Sequence, residues 1–151
     1  MKTEWISYLQ SIGFQQPLME RADAVLMIWM KVVEINPSFL FVSEYRNGEN
    51  RVHESICLCS EDAIGKASLF STTEKFNYIL LHDRITRWQV RTKNFDWVSP
   101  HRGSRLNLEV WFGEPSMWNL RASGNNCMRL AELLKSYIVP HTTRHSTGGG
   151  L

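Results

Sequence analysis

Residues 38–59 read SFLFVSEYRNGENRVHESICLC, and this stretch decides the fold class. Its two halves, 38–45 and 51–59, are rich in aliphatic and aromatic residues, and the tetrapeptide Asn-Gly-Glu-Asn at 47–50 separates them. Asn-Gly between two extended apolar segments is a strong short-range signal for a β-hairpin, because both residues tolerate the positive φ angles of a tight turn. The sequence therefore predicts an antiparallel hairpin here.

Outward from the hairpin, further short segments have the pattern of strands. In 106–112 apolar residues alternate with polar ones, which is typical of a strand with one buried face. A Gly-Glu-Pro-Ser turn at 113–116 follows it. The other predicted strands are 67–70, 76–82, 84–92 and 117–122. With the hairpin, these segments make seven predicted strands.

Two predicted helices precede the strands. Between residues 17 and 34, apolar residues recur at spacings of three and four, which predicts an amphipathic helix with Pro17 in its first turn. A shorter helical segment, 3–12, ends at Gly13, the residue best suited to the left-handed conformation that closes a helix.

One more helix is predicted after the strands. Asn125 or Asn126 offers an N-cap, apolar residues between 127 and 138 form one face, and Pro140 ends the helix. The remainder, 140–151, has no apolar period and contains three consecutive glycines. We expect it to be a flexible tail.

In this order of elements, several stretches resemble the pleckstrin-homology-like (PH-like) superfamily, in its stand-alone bacterial and GRAM-like versions. Residues 53–64 (HESICLCSEDAI) are similar to the strand and turn before the family's middle strands, and 78–88 (YILLHDRITRW) look like its junction of apolar strand, aspartate and next strand. The stretches 106–112 and 118–122, with the helix that follows, resemble its closing hairpin and C-terminal helix. The resemblance covers residues 38–139.

The resemblance implies an α+β fold, an antiparallel seven-stranded PH-like barrel capped by a C-terminal helix. Residues 1–36 would form an N-terminal helical extension, 37–139 the barrel with its capping helix, and 140–151 the tail. The first hairpin lacks the Lys-x-x-Arg-x-Arg arrangement with which phosphoinositide-binding members hold phosphates. The sequence therefore favours a non-catalytic binding or scaffold module that recruits a protein partner over lipid headgroup binding at the family's usual site.

Composition narrows the classes of function. Hydrophobic residues make up 43% of the 151, enough for a folded core, and the formal charge of +2 is too small to predict bulk adhesion to nucleic acid or membrane. Three cysteines cannot all pair within the chain, which fits a reducing compartment, so we expect a cytoplasmic protein. The most apolar run, 24–35, contains Lys31 and Glu34 and is too short to cross a bilayer.

The main candidate site is a basic ribbon in residues 84–105, where Asp96 is the only acid among six cations. If 84–92 is extended, Arg87 and Arg91 share one face of the strand. Arginines interleaved with aromatic residues serve an acidic protein surface or the phosphates of lipid or nucleic acid. The alternative is a solvated surface with no binding role. The candidate binding residues are Arg87, Arg91, Lys93, Trp97, Arg102 and Arg105.

No motif predicts catalysis, a metal site or a cofactor. The chain lacks a nucleophile elbow, a phosphate-cradling glycine-rich loop and a His-Glu-x-x-His motif. Cys57-x-Cys59 is spaced too closely for a structural zinc site, and His141 and His145 have helical spacing in a segment without a helical signal. We therefore expect a protein that is not an enzyme.

Two further kinds of partner stay open. Met27, Ile28 and Met30 lie outside the main apolar stripe of helix 17–34 and favour self-association if they are exposed. The glycines at 148–150 precede Leu151, as in ubiquitin-like proteins that are conjugated through a Gly-Gly tail. That class has a different core, with a strand entering the tail.

Overall fold

A computed structural model of the chain describes residues 1–47, 50–69, 76–81, 84–96 and 98–143. The protein is α+β, with an antiparallel sheet of four strands, a second of three strands, and a helix near the C-terminus. The elements are α1 Thr3–Ser11, α2 Gln16–Val32, β1 Phe39–Asn47, β2 Asn50–Cys59, β3 Ala63–Ser68, β4 Phe76–Leu80, β5 Arg87–Lys93, β6 Arg105–Trp111, β7 Met117–Ser123 and α3 Asn126–Leu133. They divide between two compact units, Met1–Ile79 and Leu80–Leu151.

The prediction of a single closed barrel is wrong. Throughout the described ranges the strands form two separate sheets, in the orders β1-β2-β3-β4 and β5-β6-β7. Ile85 and Thr86, which precede β5, show the reason. Their backbone groups pair with residues of the second unit. The Thr86 N–H donates to the Trp111 carbonyl over 2.9 Å, and Ile85 forms a parallel bridge with Thr142. The backbone of this segment therefore does not extend a ladder from β4.

The predicted first hairpin is confirmed as the pair β1 and β2, although its turn residues 48 and 49 lie outside the described residues. The pairing runs from Phe39 opposite Cys59 to Asn47 opposite Asn50, with an irregularity between Ser43 and Glu44. The third strand begins four residues earlier than its predicted start, at Ala63. Gly65 and Lys66 interrupt the apolar pattern there, so the sequence concealed the first half of β3.

The two N-terminal helices pack on one face of the first sheet. Trp5 and Leu9 of α1 and Trp29 of α2 lie in the same buried cluster as Leu40 of β1 and Leu58 of β2. The indole N–H of Trp29 donates to the Ile35 carbonyl, which ties the end of α2 to the segment that leads into β1. The predicted helix 17–34 is thus confirmed as α2, and its apolar stripe forms the core of the first unit.

The α1 helix also satisfies part of an open sheet edge. The β1 strand lies at the edge of its sheet, and the Val42 N–H donates to the Tyr8 hydroxyl over 3.0 Å. Covering an edge strand in this way blocks unwanted pairing with other chains.

The second unit places α3 against the inner face of its sheet. Leu106, Leu108 and Val110 of β6 are fully buried and alternate with half-buried polar residues. Cys127 and Leu130 of α3 are also buried, and the Cys127 thiol contacts the Ser104 carbonyl at 3.6 Å. The predicted C-terminal helix is confirmed: α3 continues as a π-helical turn, Leu134–Ile138, and a 3₁₀ turn, Val139–His141.

The first residues of the predicted tail make defined contacts. Pro140 lies within the last helical turn, the His141 ring nitrogen Nδ1 lies 2.9 Å from the Tyr137 carbonyl, and the Thr143 N–H donates to the Ile85 carbonyl over 2.8 Å. The rest of that tail, 144–151, lies outside the described residues, together with the glycines at 148–150.

Candidate functional site

The outer face of the second sheet brings polar side chains together in register. Side chains alternate between the faces of a strand, so the residues of β6 that separate its buried leucines all lie on the opposite face. The pairing aligns Gln89 with Glu109 and Asn119, and Arg91 with Asn107 and Arg121. We call this surface the polar face; it comprises Arg87, Gln89, Arg91, Lys93, Arg105, Asn107, Glu109, Trp111, Met117, Asn119, Arg121 and Ser123.

The polar face is strongly cationic. It carries five cations and Glu109 as its one acid, a formal charge of +4, whereas the whole chain has a formal charge of +2. The cations are Arg87, Arg91, Lys93, Arg105 and Arg121. Such a concentration attracts acidic partners over a distance of about one Debye length, roughly 8–10 Å in physiological salt.

Two contacts hold arginines of β5 in place. The guanidinium carbon of Arg87 lies 3.9 Å from the centre of the Trp111 ring, a stacked arrangement that leaves the N–H groups at the guanidinium edge able to donate. Arg91 Nε lies 3.7 Å from Glu109 Oε1, and the two side chains are 69% and 17% exposed. At this distance the two groups form an ion pair but are too far apart for a hydrogen bond. The N–H groups of Arg91 therefore remain able to donate to an incoming acceptor.

Several polar atoms on this face are buried without a hydrogen-bond partner in the described part of the chain. They are Arg105 Nη1, Asn107 Oδ1, Glu109 Oε1 and Asn119 Oδ1. A buried polar atom without a hydrogen bond costs about 1–3 kcal/mol, and these four atoms are covered by the chain itself, so an external ligand reaches them only if side chains move.

The structure places the candidate residues from the sequence in three groups. Arg87, Arg91, Lys93 and Arg105 lie together on the polar face, with Lys93 directly opposite Arg105. Arg102 is exposed in the loop that joins β5 to β6. Trp97 lies outside the described residues.

The base of that loop is fixed by one serine. The Ser104 hydroxyl donates to the Asn94 carbonyl over 2.9 Å and accepts from the His101 N–H over 3.0 Å. These bonds join the two ends of the loop, so Arg102 is attached at the same end of the sheet as Lys93 and Arg105.

Sequence reasoning missed most of the polar face. Asn107, Glu109 and Trp111 of β6, and Asn119 and Arg121 of β7, were not among the candidates. The signal was present in the alternation of β6, because a strand with one buried leucine face must present its intervening residues on the other face. A count of charges along the sequence does not reveal this face, because β6 and β7 each contribute few charged residues.

The apolar residues proposed for self-association are partly exposed. Met27 is 57% exposed and Met30 37%, while Ile28 is half-buried. They lie on α2 in the first unit.

The described residues were also searched for metal sites, membrane-spanning helices and reactive thiols. There, no group of three or more potential metal ligands is present, and no helix is long and apolar enough to cross a membrane. Cys57, Cys59 and Cys127 are buried thiols that form no disulfide within the described residues. Burial raises the pKa of the Cys57 thiol to about 12, because the thiolate cannot be hydrated, although the nearby Lys66 ammonium opposes this shift.

Comparison of the chain with protein-family models, curated protein sequences and solved structures finds no significant match.

Proposed function

We propose that the chain is a non-catalytic, PH-like binding or scaffold module that recruits an acidic protein partner through the polar face. The order of its elements supports the PH-like part of this proposal: four antiparallel strands, then three, then a helix. The concentration of five cations around a single acid on one face is the observation that carries the binding role.

The choice of a protein partner over phosphate depends on Glu109. Its carboxylate lies on the central strand of the face, and its Oε1 accepts no hydrogen bond within the described residues. A phosphate group offers acceptors and negative charge at neutral pH, so it can pair with the arginines but has no N–H donor for this carboxylate. A polypeptide offers N–H donors for Glu109 as well as aspartate or glutamate carboxylates for the surrounding arginines. Lipid or nucleic-acid phosphate is therefore the second candidate, to be separated by experiment.

The test compares three probes on the same protein. They are a peptide that alternates aspartate with apolar residues, a single-stranded oligonucleotide, and vesicles containing anionic lipid. We expect the peptide to bind and to shift the backbone NMR signals of β5, β6 and β7. Binding of the oligonucleotide or vesicles alone, with a steep loss of affinity as salt rises, would instead assign the face to phosphate.

Charge reversal tests the residues directly. Arg87→Glu combined with Arg91→Glu places two acids where the peptide's carboxylates would bind, so we expect affinity to fall at least tenfold, about 1.4 kcal/mol. Lys135→Glu, a single reversal at an exposed site on the C-terminal helix, is the control and should change affinity by less than about twofold. Unchanged binding by the double variant would show that the polar face is a solvated surface.

A further inference from the structure

A groove in the first unit has the size and lining of a small-molecule site. Its volume is about 570 Å³, within the range of roughly 300–1,000 Å³ that is typical of ligand pockets. It lies between the start of α1, one face of α2 and the segment that leads into β1. Its lining residues are Met1, Lys2, Trp5, Leu26, Met30, Asn36 and Pro37.

The floor and walls of the groove are apolar. Trp5 is 2% exposed and Pro37 is buried, so both are fixed in the fold. Leu26 and Met30 are four residues apart on α2 and therefore lie side by side on one helix face. Apolar surface that a ligand covers here would be removed from water, at about 25 cal/mol for each Å².

The groove has cationic character where α1 begins. Lys2 lines the groove, and its ammonium lies 4.7 Å from the centre of the Trp5 ring. Lys2 is also the N-cap of α1, and no side chain caps this helix, so the positive end of its dipole lies there too. Glu4 is in the first turn but does not line the groove, and neither does any other acid of the described residues.

We propose that this groove binds an amphipathic monoanion, a carboxylate attached to an apolar chain or ring. The apolar part lies against Leu26 and Met30, and the carboxylate pairs with Lys2. This site lies in the first unit and does not depend on the polar face.

The probe is decanoate, followed by calorimetry and by the NMR signals of α1 and α2. Decanol has the same chain without the charge, and an exposed charge pair contributes a factor of about three to five, so we expect decanol to bind more weakly by that factor. Lys2→Met should reduce decanoate affinity toward the decanol level, because the helix dipole remains. Lys31→Met, which removes a charge from α2 outside the groove, should leave it unchanged.

A second experiment fills the groove with a larger side chain. Met30→Trp adds bulk to a wall residue that is already 37% exposed, so the fold should be kept while decanoate affinity falls at least tenfold. Met27→Trp, on the same helix but not lining the groove, is the matched control.

Three results would overturn the proposal: decanoate fails to bind, Met30→Trp binds it as well as the wild type, or decyltrimethylammonium binds equally tightly. A chain that is dimeric in the absence of decanoate and is dissociated by it would assign the groove to a second copy and would also contradict the proposal.

Discussion

At the scale of the residue, Cys57 shows how a buried position controls thiol chemistry. Its side chain is fully buried on β2, and burial raises the pKa of the thiol from 9.0 to about 12. The unfolded chain can therefore release this proton from about pH 9 upward, while the folded chain cannot. A raised pKa in the folded state stabilises the fold below pH 9, and that contribution is lost as pH rises from 9 toward 12.

We expect the free energy of unfolding to fall more steeply with pH above 9 in the wild type than in Cys57→Ala. The difference should approach about 1.4 kcal/mol for each pH unit, the free energy of one proton. Urea unfolding of both proteins at several pH values between 7.5 and 10.5 measures it. Other titrating groups cancel in the comparison, so equal slopes would show that Cys57 ionises as freely in the folded protein as in the unfolded one.

At the scale of the element, Trp29 does more than helix capping to hold α2 in position. Neither end of this helix has a side-chain cap, and its basic Lys31 is exposed. Trp29, by contrast, is fully buried and its indole N–H bonds to the Ile35 carbonyl. Helices in proteins derive most of their stability from packing of the apolar face, and here that face is anchored by a single large ring.

Trp29→Ala should destabilise the protein by about 3–5 kcal/mol, because it leaves a large cavity between α2 and the first sheet. Trp29→Phe keeps most of the ring but removes the N–H donor, so we expect a smaller loss of about 1–3 kcal/mol. Met27→Ala, at an exposed site on the same helix, should cost less than about 0.5 kcal/mol. Urea unfolding ranks the three variants, and an equal loss for Trp29→Phe and Met27→Ala would contradict a role for the indole hydrogen bond.

Elements with a clear period were predictable from the sequence, and elements without one were not. The alternation in β6 and the three- and four-residue spacing in α2 come directly from burial of one face, so both predictions are confirmed. The first half of β3 was missed because Gly65 and Lys66 do not follow an apolar pattern. The polar face was predicted only in part: Arg87, Arg91, Lys93 and Arg105 are recognisable by their charge, whereas Asn107 and Asn119 are placed on this face only by strand pairing.

At the scale of the whole molecule, the lack of a local sequence pattern also explains why the prediction of a closed barrel was wrong. Strand order can be inferred from turns and periods, but closure depends on hydrogen bonds between residues far apart in the chain. In the second unit such a hydrogen bond joins Thr143 to Ile85, 58 positions earlier. No pattern in the sequence around either residue predicts this bond. Pairings of this kind are set by the complete fold rather than by neighbouring residues.

That long-range bond leads to a prediction about the end of the described chain. Thr142 has extended backbone angles, φ −80° and ψ 130°, and this conformation is compatible with a following proline. Thr143→Pro therefore removes the N–H that bonds to Ile85 without disturbing Thr142, and we expect a loss of about 1–2 kcal/mol. For a chain of this size, that corresponds to a melting temperature lower by roughly 2–8 °C.

Thr143→Ala keeps the N–H and is the matched control, and we expect it to melt at a higher temperature than Thr143→Pro. A chain ending at Pro140, which also lacks the bonds of His141 and Thr142, should melt lower than one ending at Thr143. Differential scanning calorimetry of these four proteins and the wild type tests this order. If Thr143→Pro melts with the control, the bridge to Ile85 forms without contributing stability, and the second unit is then held by the packing of α3 on its sheet alone.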